Sequence, residues 1–370
     1  MKQGREIKTI GSICDIKTGR LDANAASENG TYPFFTCSQA PLRIDNYAYD
    51  CECVLVAGNG ELNAKYYNGK FNAYQRTYII TTKSEYKDIS VKYLYKFFSK
   101  YIEQLRQLSI GGVIKYIKLG NLTDASILIP PREEQERIVA ELDCLSGVIE
   151  KKREQLKQLD ALAQSIFYQM FGDPITNEKG WEVKKLSDAV SIDCPISYGI
   201  VQPMDDVEGG IPIVRPIDLV DTFVRKDNLK RTSIDISNAY KRTILRGDEI
   251  LMCVRGTTGV VSMASDELKG CNTTRGIVPL FFDSINRWFV YYLIKQPSMQ
   301  CLIAENTYGI ALKQINIKEL RLLPIITPPL SFQQEFADKI EAIEKQKELI
   351  KQSITQTEEL FNSRMSYYFN

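Results

Sequence analysis

The 370-residue chain contains no histidine. That absence removes Ser–His–Asp and Cys–His catalysis and every histidine-ligated metal site. No G-x-x-x-x-G-K-[ST] segment is present, which argues against a P-loop nucleotide engine. No apolar run approaches the ~20 residues needed to cross a bilayer, and the most apolar stretches, 277–282 and 288–294, read as buried elements. Met1 is followed by charge rather than by an apolar segment, so no secretory signal is expected. Charge of one sign is lacking too: 47 Lys and Arg against 46 Asp and Glu leave +1. Any strongly charged face must therefore be local. The nine cysteines stand singly except for Cys51 and Cys53, an odd count without metal-ligand spacing, which fits reduced thiols in a cytoplasm.

Two further segments invite a chemical reading and lose it. Gly58-Asn59-Gly60 is glycine-rich, but a lone G-x-G between strands is a turn more often than a phosphate cradle. Asp173 with Glu182-Val183-Lys184 could suggest a nuclease, yet these residues flank a linker after a helix. The chain reads as a non-enzyme.

What is present is a tandem repeat. At a constant offset of 198, residues 110–172 lie over 308–370 without a gap. Gly111, Lys115, Ile117 and Leu122 meet Gly309, Lys313, Ile315 and Leu320. Pro130-Pro131, Gln135, Glu150, Leu162 and Phe171 then meet Pro328-Pro329, Gln333, Glu348, Leu360 and Phe369. Upstream the match is looser and gapped. Glu6-Ile7-Lys8 lies over Glu182-Val183-Lys184, Gly30–Phe34 over Gly210–Ile213, Tyr95–Phe98 over Tyr291–Ile294, and Arg76 near Arg275.

Within the looser parts, β-rich runs such as 53–57, 78–82, 211–214, 249–254 and 277–282 alternate with Gly, Asn and Asp turns. Apolar spacing predicts helices at about 90–108 and 285–305. Each half is thus an α+β domain followed by a better-matched helical segment.

Those segments carry a heptad seam. From Ile138 the apolar positions run Leu142, Leu145, Ile149, Lys152, Leu156, Leu159, Ala163, Ile166 and Met170, in steps of 4 and 3. The second copy reads Phe336, Ile340, Ile343, Lys347, Ile350, Ile354, Thr357, Phe361, Arg364 and Tyr368. Proline pairs precede both helices, where proline is tolerated. Ser331 and Gln334 are placed to form a capping box, and Gly172 with Pro174 stops the first helix. Two such helices in one chain can pair, with Lys152 or Lys347 fixing register. At 1.5 Å per residue each would span roughly 57 Å, and an antiparallel pair would act as a spacer.

Here the residues carry a family resemblance. Leu122 with Ile127-Leu128-Ile129-Pro130-Pro131-Arg132-Glu133-Glu134-Gln135-Glu136-Arg137-Ile138-Val139 resembles the end of a target-recognition domain running into the spacer helix of a type I restriction–modification specificity subunit. Ile325-Ile326-Thr327-Pro328-Pro329-Leu330-Ser331-Phe332-Gln333-Gln334 is the second instance, and Gly180-Trp181-Glu182-Val183-Lys184-Lys185-Leu186 is similar to the start of that family's second domain. The resemblance covers essentially the whole chain and rests on order and duplication. It implies an α+β, pseudo-two-fold tandem repeat with two long antiparallel helices as a coiled-coil spacer. The expected parts are a first target-recognition domain (1–131), a first long helix (132–172), a linker (173–180), a second domain (181–329) and a second helix (330–370). It also implies double-stranded DNA as ligand and two methyltransferase subunits as partners, with restriction subunits able to join. S-adenosylmethionine, ATP and magnesium belong to those partners, and this chain would hold no cofactor or metal. An Asn/Asp-Pro-Pro-Tyr/Phe methyltransferase motif is missing, as that division of labour requires. The short segment before the first domain is what a trimmed member of the family would carry.

Reading bases needs donors and acceptors aimed at base edges, with Arg suited to guanine and Asn or Gln to adenine. In the first domain the candidates are Arg43, Asn59, Asn63, Lys65, Tyr74, Gln75, Arg76 and Lys115. In the second they are Arg215, Arg225, Lys226, Arg231, Lys241, Arg242, Arg255, Thr257, Thr258, Thr273, Thr274, Arg275 and Lys313. Lys115 and Lys313 follow a Gly turn at one repeat position, so they are expected to hold phosphate, since an identical residue cannot explain two different half-sites. Arg255-Gly256-Thr257-Thr258-Gly259 is the strongest base-reading segment. The first half is rich in Tyr and Asn where the second is rich in Arg, which predicts unlike half-sites, with centres about 10 bp apart if both domains face one side of the duplex. Flipping an adenine for methylation would be the partner's task. The competing readings are a coiled-coil adaptor that binds proteins and no specific DNA, and a self-contained nuclease or methyltransferase.

Overall fold

A computed structural model describes residues 6–309 and 312–370. Residues 1–5, at the start of the first expected domain, and 310–311, inside the second Gly turn, lie outside the described residues. The chain divides into two compact units, residues 1–154 with 351–370 and residues 155–350.

The first unit begins with β1 (Glu6–Thr9), α1 (Ile10–Ile13) and β2 (Cys14–Thr18). There follow β3 (Tyr32–Phe35), β4 (Leu42–Ile44), β5 (Tyr49–Ala57), β6 (Ala64–Ala73) and β7 (Thr77–Thr82). Then come α2 (Val91–Leu108), α3 (Leu119–Thr123), β8 (Ser126–Ile129) and the start of α4 (Arg132–Phe171). A six-stranded sheet has the order β2-β7-β5-β6-β3-β4, and β1 pairs antiparallel with β8. Its apolar side packs on α2 through Val54, Val56 and Ile80 against Leu94, Phe98 and Ile102.

The second unit repeats this plan with shorter strands. It holds β9 (Val183–Lys185), α5 (Leu186–Ala189), β10 (Ile211–Val214), β11 (Lys230–Thr232), α6 (Ile234–Ala239), β12 (Ile250–Cys253) and β13 (Val261–Met263). Next are β14 (Asn272–Thr273), β15 (Ile277–Leu280), α7 (Arg287–Ile294), α8 (Pro297–Glu305), β16 (Thr307–Tyr308) and β17 (Gln314–Ile315). Last are α9 (Ile317–Leu320), β18 (Pro324–Ile326) and the start of α10 (Leu330–Phe369), whose end belongs to the first unit. The order β7-β5-β6 reappears as β15-β12-β13, and β6-β3-β4 reappears as β14-β10-β11. The ten-residue β6 serves both groups, whereas its counterpart is split into β13 and β14. The β9–β18 pair copies β1–β8, with Ile7 opposite Leu128 and Val183 opposite Ile326. Both domains are α+β, as expected.

Two local expectations are corrected. The predicted helix over 285–305 is two helices, because Pro297 lacks an N–H and disfavours helical backbone at Gln296, so α7 ends and α8 starts at that proline. The capping box at Ser331 and Gln334 is absent. α10 already starts at Leu330, and the Gln334 carboxamide bonds Asp338 at 2.9 Å and Asn286 at 3.2 Å instead.

The repeated Gln after Pro-Pro has a structural cause. Gln135 is 1% exposed; its oxygen accepts from Ser90 N–H at 2.8 Å and its nitrogen donates to the Pro130 carbonyl at 2.9 Å. Gln333 does the same with Asn286 N–H at 2.8 Å and the Pro328 carbonyl at 2.7 Å. Ser90 and Asn286 are the N-caps of α2 and α7, so one buried amide ties two helix starts together. The Gly-Trp segment closes the end of α4 in a similar way. Gly172, at φ +75°, ends the helix, the Trp181 indole donates to the Phe171 carbonyl at 2.9 Å, and the Lys179 ammonium bonds the Gln169 and Met170 carbonyls.

Within each unit α4 and α10 run antiparallel. In the first, Glu141 pairs with Arg364, and Lys152 donates to the Ser353 hydroxyl at 2.6 Å and the Thr357 hydroxyl at 3.2 Å. The helix ends join the domain core, where Leu142, Met365 and Tyr368 pack with Tyr93 and Phe97. In the second, Lys347 meets Asp160 at 2.7 Å and Glu344 at 2.6 Å. Phe167 and Phe171 pack on Phe289 of α7, with ring centroids 5.5 and 4.8 Å apart, and on Phe336, at 5.6 and 5.4 Å, and all four rings are fully buried. Each such ring contributes about 1.5–3 kcal/mol by burial. The seam lysines, like Thr357 and Arg364, are thus partnered polar positions in a mostly apolar stripe.

Candidate nucleic-acid interface

Three segments converge beyond the end of β5 in the first unit. Gly58 N–H donates to the Arg76 carbonyl at 2.7 Å, which seats the 58–60 loop on the β6–β7 turn. Gly60 N–H donates to the Lys115 carbonyl at 3.0 Å, and Ile117 N–H to the Gly58 carbonyl at 2.9 Å, which bring in the 110–117 segment. Tyr74, Gln75 and Arg76 form the turn itself, closed by Thr77 N–H to the Tyr74 carbonyl at 2.8 Å.

The second unit builds the same frame beyond β12. Val254 N–H donates to the Gly276 carbonyl, Gly256 N–H to the Lys313 carbonyl, Ile315 N–H to the Val254 carbonyl and Ile277 N–H to the Thr274 carbonyl, all at 2.8–3.0 Å. Gly60 and Gly256 both take positive φ, at +66° and +93°. Gly111 and Gly309, also at positive φ, admit no side chain, because a Cβ would lie 2.6 or 2.3 Å from a carbonyl oxygen in the same turn. Glycine at these places shapes the loops that carry the candidate side chains.

The matching hydrogen bonds superpose residues that sequence alignment left uncertain. Asn59 faces Tyr116 in an antiparallel bridge, and Arg255 faces Gln314 in the same way. Ala57 opposite Thr77 corresponds to Cys253 opposite Ile277. Asn59 is therefore the counterpart of Arg255. Gln75 N–H bonds the Leu21 carbonyl and Arg275 N–H the Ile200 carbonyl, so the counterpart of Arg275 is Gln75 and not Arg76. Arg76, placed near Arg275 by the sequence, stands one residue further on and corresponds to Gly276.

These loop side chains are open. Asn59 forms no side-chain hydrogen bond among the described residues, and Arg275, Lys115 and Lys313 are exposed. Arg255 is half-buried, and its Nε is shielded from water with no hydrogen-bond partner among the described residues. Gln75 reaches Asp22 at 3.5 Å, the outer limit of a hydrogen bond. Arg76, Tyr74 and Thr274 lie in the same turns, with the Thr274 hydroxyl 3.3 Å from the Val214 carbonyl.

Other candidates are already engaged inside their domain. Asn63 is 7% exposed and spends its amide on the Cys37 and Glu61 carbonyls, both at 2.8 Å. Lys65 bonds the Asn63 oxygen, and burial lowers its pKa. Arg43 donates to the Thr31 carbonyl at 3.2 Å. Arg215 grips Asp218 with two guanidinium bonds, at 2.9 and 3.1 Å, which raise its pKa. Arg225 lies 3.9 Å from Glu348 on α10, and Arg231 sits on β11 with a 3.4 Å bond to the Gly210 carbonyl. Thr258 is 3.3 Å from the Thr307 hydroxyl, and Thr257 bonds the Cys253 sulfur at 3.5 Å. Thr273 is fully buried, while Lys226, Lys241 and Arg242 are exposed and form none of the hydrogen bonds that bring the three segments together.

Sequence reasoning passed over Tyr116 and Gln314, the strand partners of Asn59 and Arg255. They follow Lys115 and Lys313 at the constant offset, a signal that was available. It also passed over the turn tip, where Val113 and Ile114 are exposed beside Lys115 and Leu312 beside Lys313.

Comparison with known proteins agrees with this architecture. A family model described as type I restriction modification DNA specificity domain matches residues 2–160 and 178–359. The chain is 41% identical over 150 residues to the specificity subunit of the EcoDI type I restriction enzyme of Escherichia coli, covering 40% of this chain and 33% of that one. It is 21% identical to the EcoBI specificity subunit of the same organism, over 68% of this chain and 58% of the other. The chain thus spans a third to somewhat over half of those relatives. In fold it is similar to the crystal structure of a type I restriction–modification S subunit from M. genitalium, with TM-score 0.60, 14% identity and coverage of 99% and 96%. A chain from a structural study of complex assembly and conformational transition in a type I system gives TM-score 0.59 at 18% identity, with coverage of 100% and 98%. With two matched segments that together take in most of its length, the chain belongs to the type I restriction modification DNA specificity domain family.

Proposed function

We propose that this chain is the DNA-reading subunit of a type I restriction–modification complex, each domain reading one half of a gapped double-stranded target. The observation that carries the reading is the duplicated loop frame, which presents a glycine-shaped loop, a turn and a lysine-bearing segment in both units. Lys115 and Lys313, identical and exposed, suit phosphate oxygens, which set position without specifying sequence. The side chains that differ between the frames carry sequence discrimination. Within each unit the seam lysine fixes the register of the antiparallel helix pair.

In this reading the chain performs no chemistry itself. Two methyltransferase subunits carry S-adenosylmethionine, and ATP and magnesium belong to restriction subunits that join them. Exposed apolar side chains on the long helices suit protein partners: Leu360 and Tyr367 in the first unit, Leu162, Tyr168 and Leu349 in the second. Among the described residues no helix is long and apolar enough to cross a membrane. The working place is the cytoplasm, where the DNA is.

A salt series tests the phosphate assignment. Duplex binding by the chain with its methyltransferase subunit should weaken steeply as salt rises, with a log–log slope of about −0.9 per phosphate contact. Lys115→Ala combined with Lys313→Ala should flatten that slope by about 2 and leave sequence preference unchanged. Salt-independent binding, or no duplex binding while the partner still co-purifies, would make the chain a protein adaptor.

A further inference from the structure

The two loop frames superpose bond for bond, yet at two matching positions their side chains differ in hydrogen-bonding character. Position one is Asn59 in the first unit and Arg255 in the second. Position two is Gln75 and Arg275. In both places a carboxamide in the first half corresponds to a guanidinium in the second, while the neighbouring Lys115 and Lys313 are the same.

We propose that Asn59 and Arg255 are equivalent base-reading residues, seconded by Gln75 and Arg275, so that the first half-site has adenine where the second has guanine. This rests on the DNA-reading function proposed above. The chemistry is complementary. A carboxamide offers one acceptor and one donor, which match the N6 amino group and N7 of adenine in the major groove. A guanidinium offers two donors, which match O6 and N7 of guanine. Exchange opposes like groups: Arg would set a donor against the adenine amino group, and Asn would set its oxygen against guanine O6.

The state of the side chains fits a ligand still to be bound. The Arg255 side chain is half-buried and makes no hydrogen bond among the described residues, so its guanidinium is not committed inside the domain. Asn59 makes no side-chain hydrogen bond among the described residues, and Arg275 is exposed. Gln75 has only the long contact to Asp22, which can orient the amide and leave its oxygen and second N–H for a base. That same carboxylate would capture an arginine placed at 75, so positions 59 and 255 are the cleaner pair to exchange.

The test is selection from random duplexes by the full chain with its methyltransferase subunit, for the wild type, Asn59→Arg and Arg255→Asn. Asn59→Arg should convert one adenine of one half-site to guanine and leave the other half-site unchanged. Arg255→Asn should convert one guanine to adenine in the other half-site. Competition between the original and converted sites should shift by about 5- to 150-fold in each case. Where an exchange abolishes binding, Asn59→Ala and Arg255→Ala take its place, and loss of preference at a single base pair of one half-site supports the assignment. Unchanged motifs in the variants, with the wild type still selecting a gapped target, overturn the assignment and leave the DNA-reading function standing. A wild type that selects no motif overturns the function beneath it.

Discussion

Replacing Gln135 by leucine is the sharpest probe of how the fold is fastened. Leucine fills nearly the same space but deletes two short hydrogen bonds, those from Ser90 N–H at 2.8 Å and to the Pro130 carbonyl at 2.9 Å, and a long one to the Asp88 carbonyl at 3.5 Å. The site is 1% exposed, so water cannot replace the lost partners. Leaving one buried group unpaired costs about 1–3 kcal/mol, so the pair predicts a loss of about 2–6 kcal/mol. Denaturant unfolding followed by circular dichroism, with hydrogen exchange of the α2 and α4 amide groups, reads this loss. Gln135→Glu refines the test. An ionised carboxylate still accepts from Ser90 but faces the Pro130 carbonyl without a donor. Only its protonated form makes both bonds, so the folded-state carboxyl pKa rises. The stability of that variant should therefore be greatest at acid pH and fall as pH rises through the folded pKa. A leucine variant within about 0.5 kcal/mol of wild type, or a glutamate variant with the pH dependence of wild type, would refute the clamp.

Further consequences concern the helix pair. Lys347 is 5% exposed between Asp160 and Glu344; burial opposes its charge, but those two carboxylates prevail and raise its pKa. Lys347→Met should destabilise the second unit by about 3 kcal/mol, and adding Glu344→Gln should recover part of it; a neutral single variant, read by denaturant unfolding, would contradict this. In the first unit, hydrogen bonding to Arg364, against an opposing effect of burial, holds the Glu141 carboxyl below its ordinary value of 4.5, and Tyr368 adds to the lowering. A depressed carboxyl contributes stability above its unfolded value and loses it as pH falls through the folded value. Hydrogen-exchange protection factors around residues 141 and 364, taken relative to the intrinsic rate at each pH, should therefore fall in acid, and Glu141→Gln should flatten that response.

The sequence made the repeat legible wherever both halves use the same residues for the same backbone task. Proline pairs, the buried Gln, the Gly turns and the seam hold one offset because each solves a fixed geometric problem. Between them the offset drifts with strand and loop length. Alignment could then match Glu6–Lys8 with Glu182–Lys184 but only bring Arg76 near Arg275. The Pro297 break was readable from the proline itself and was masked by the strong apolar spacing on either side. Loop composition could not separate Asn63 and Arg215, whose polar groups are used internally, from Asn59 and Arg255, whose side chains make no hydrogen bond among the described residues. That difference depends on carbonyls and carboxylates brought close by the fold: Cys37 is 26 residues from Asn63 in sequence. The base-reading pair likewise becomes visible only through hydrogen-bond register.

The central claim is that one chain reads two different half-sites, and selection from random duplexes by the wild-type chain with its methyltransferase subunit tests it directly. The account predicts a gapped motif whose two halves differ and whose gap has a fixed length. A single ungapped motif, two identical halves, or retained DNA without any motif would contradict it.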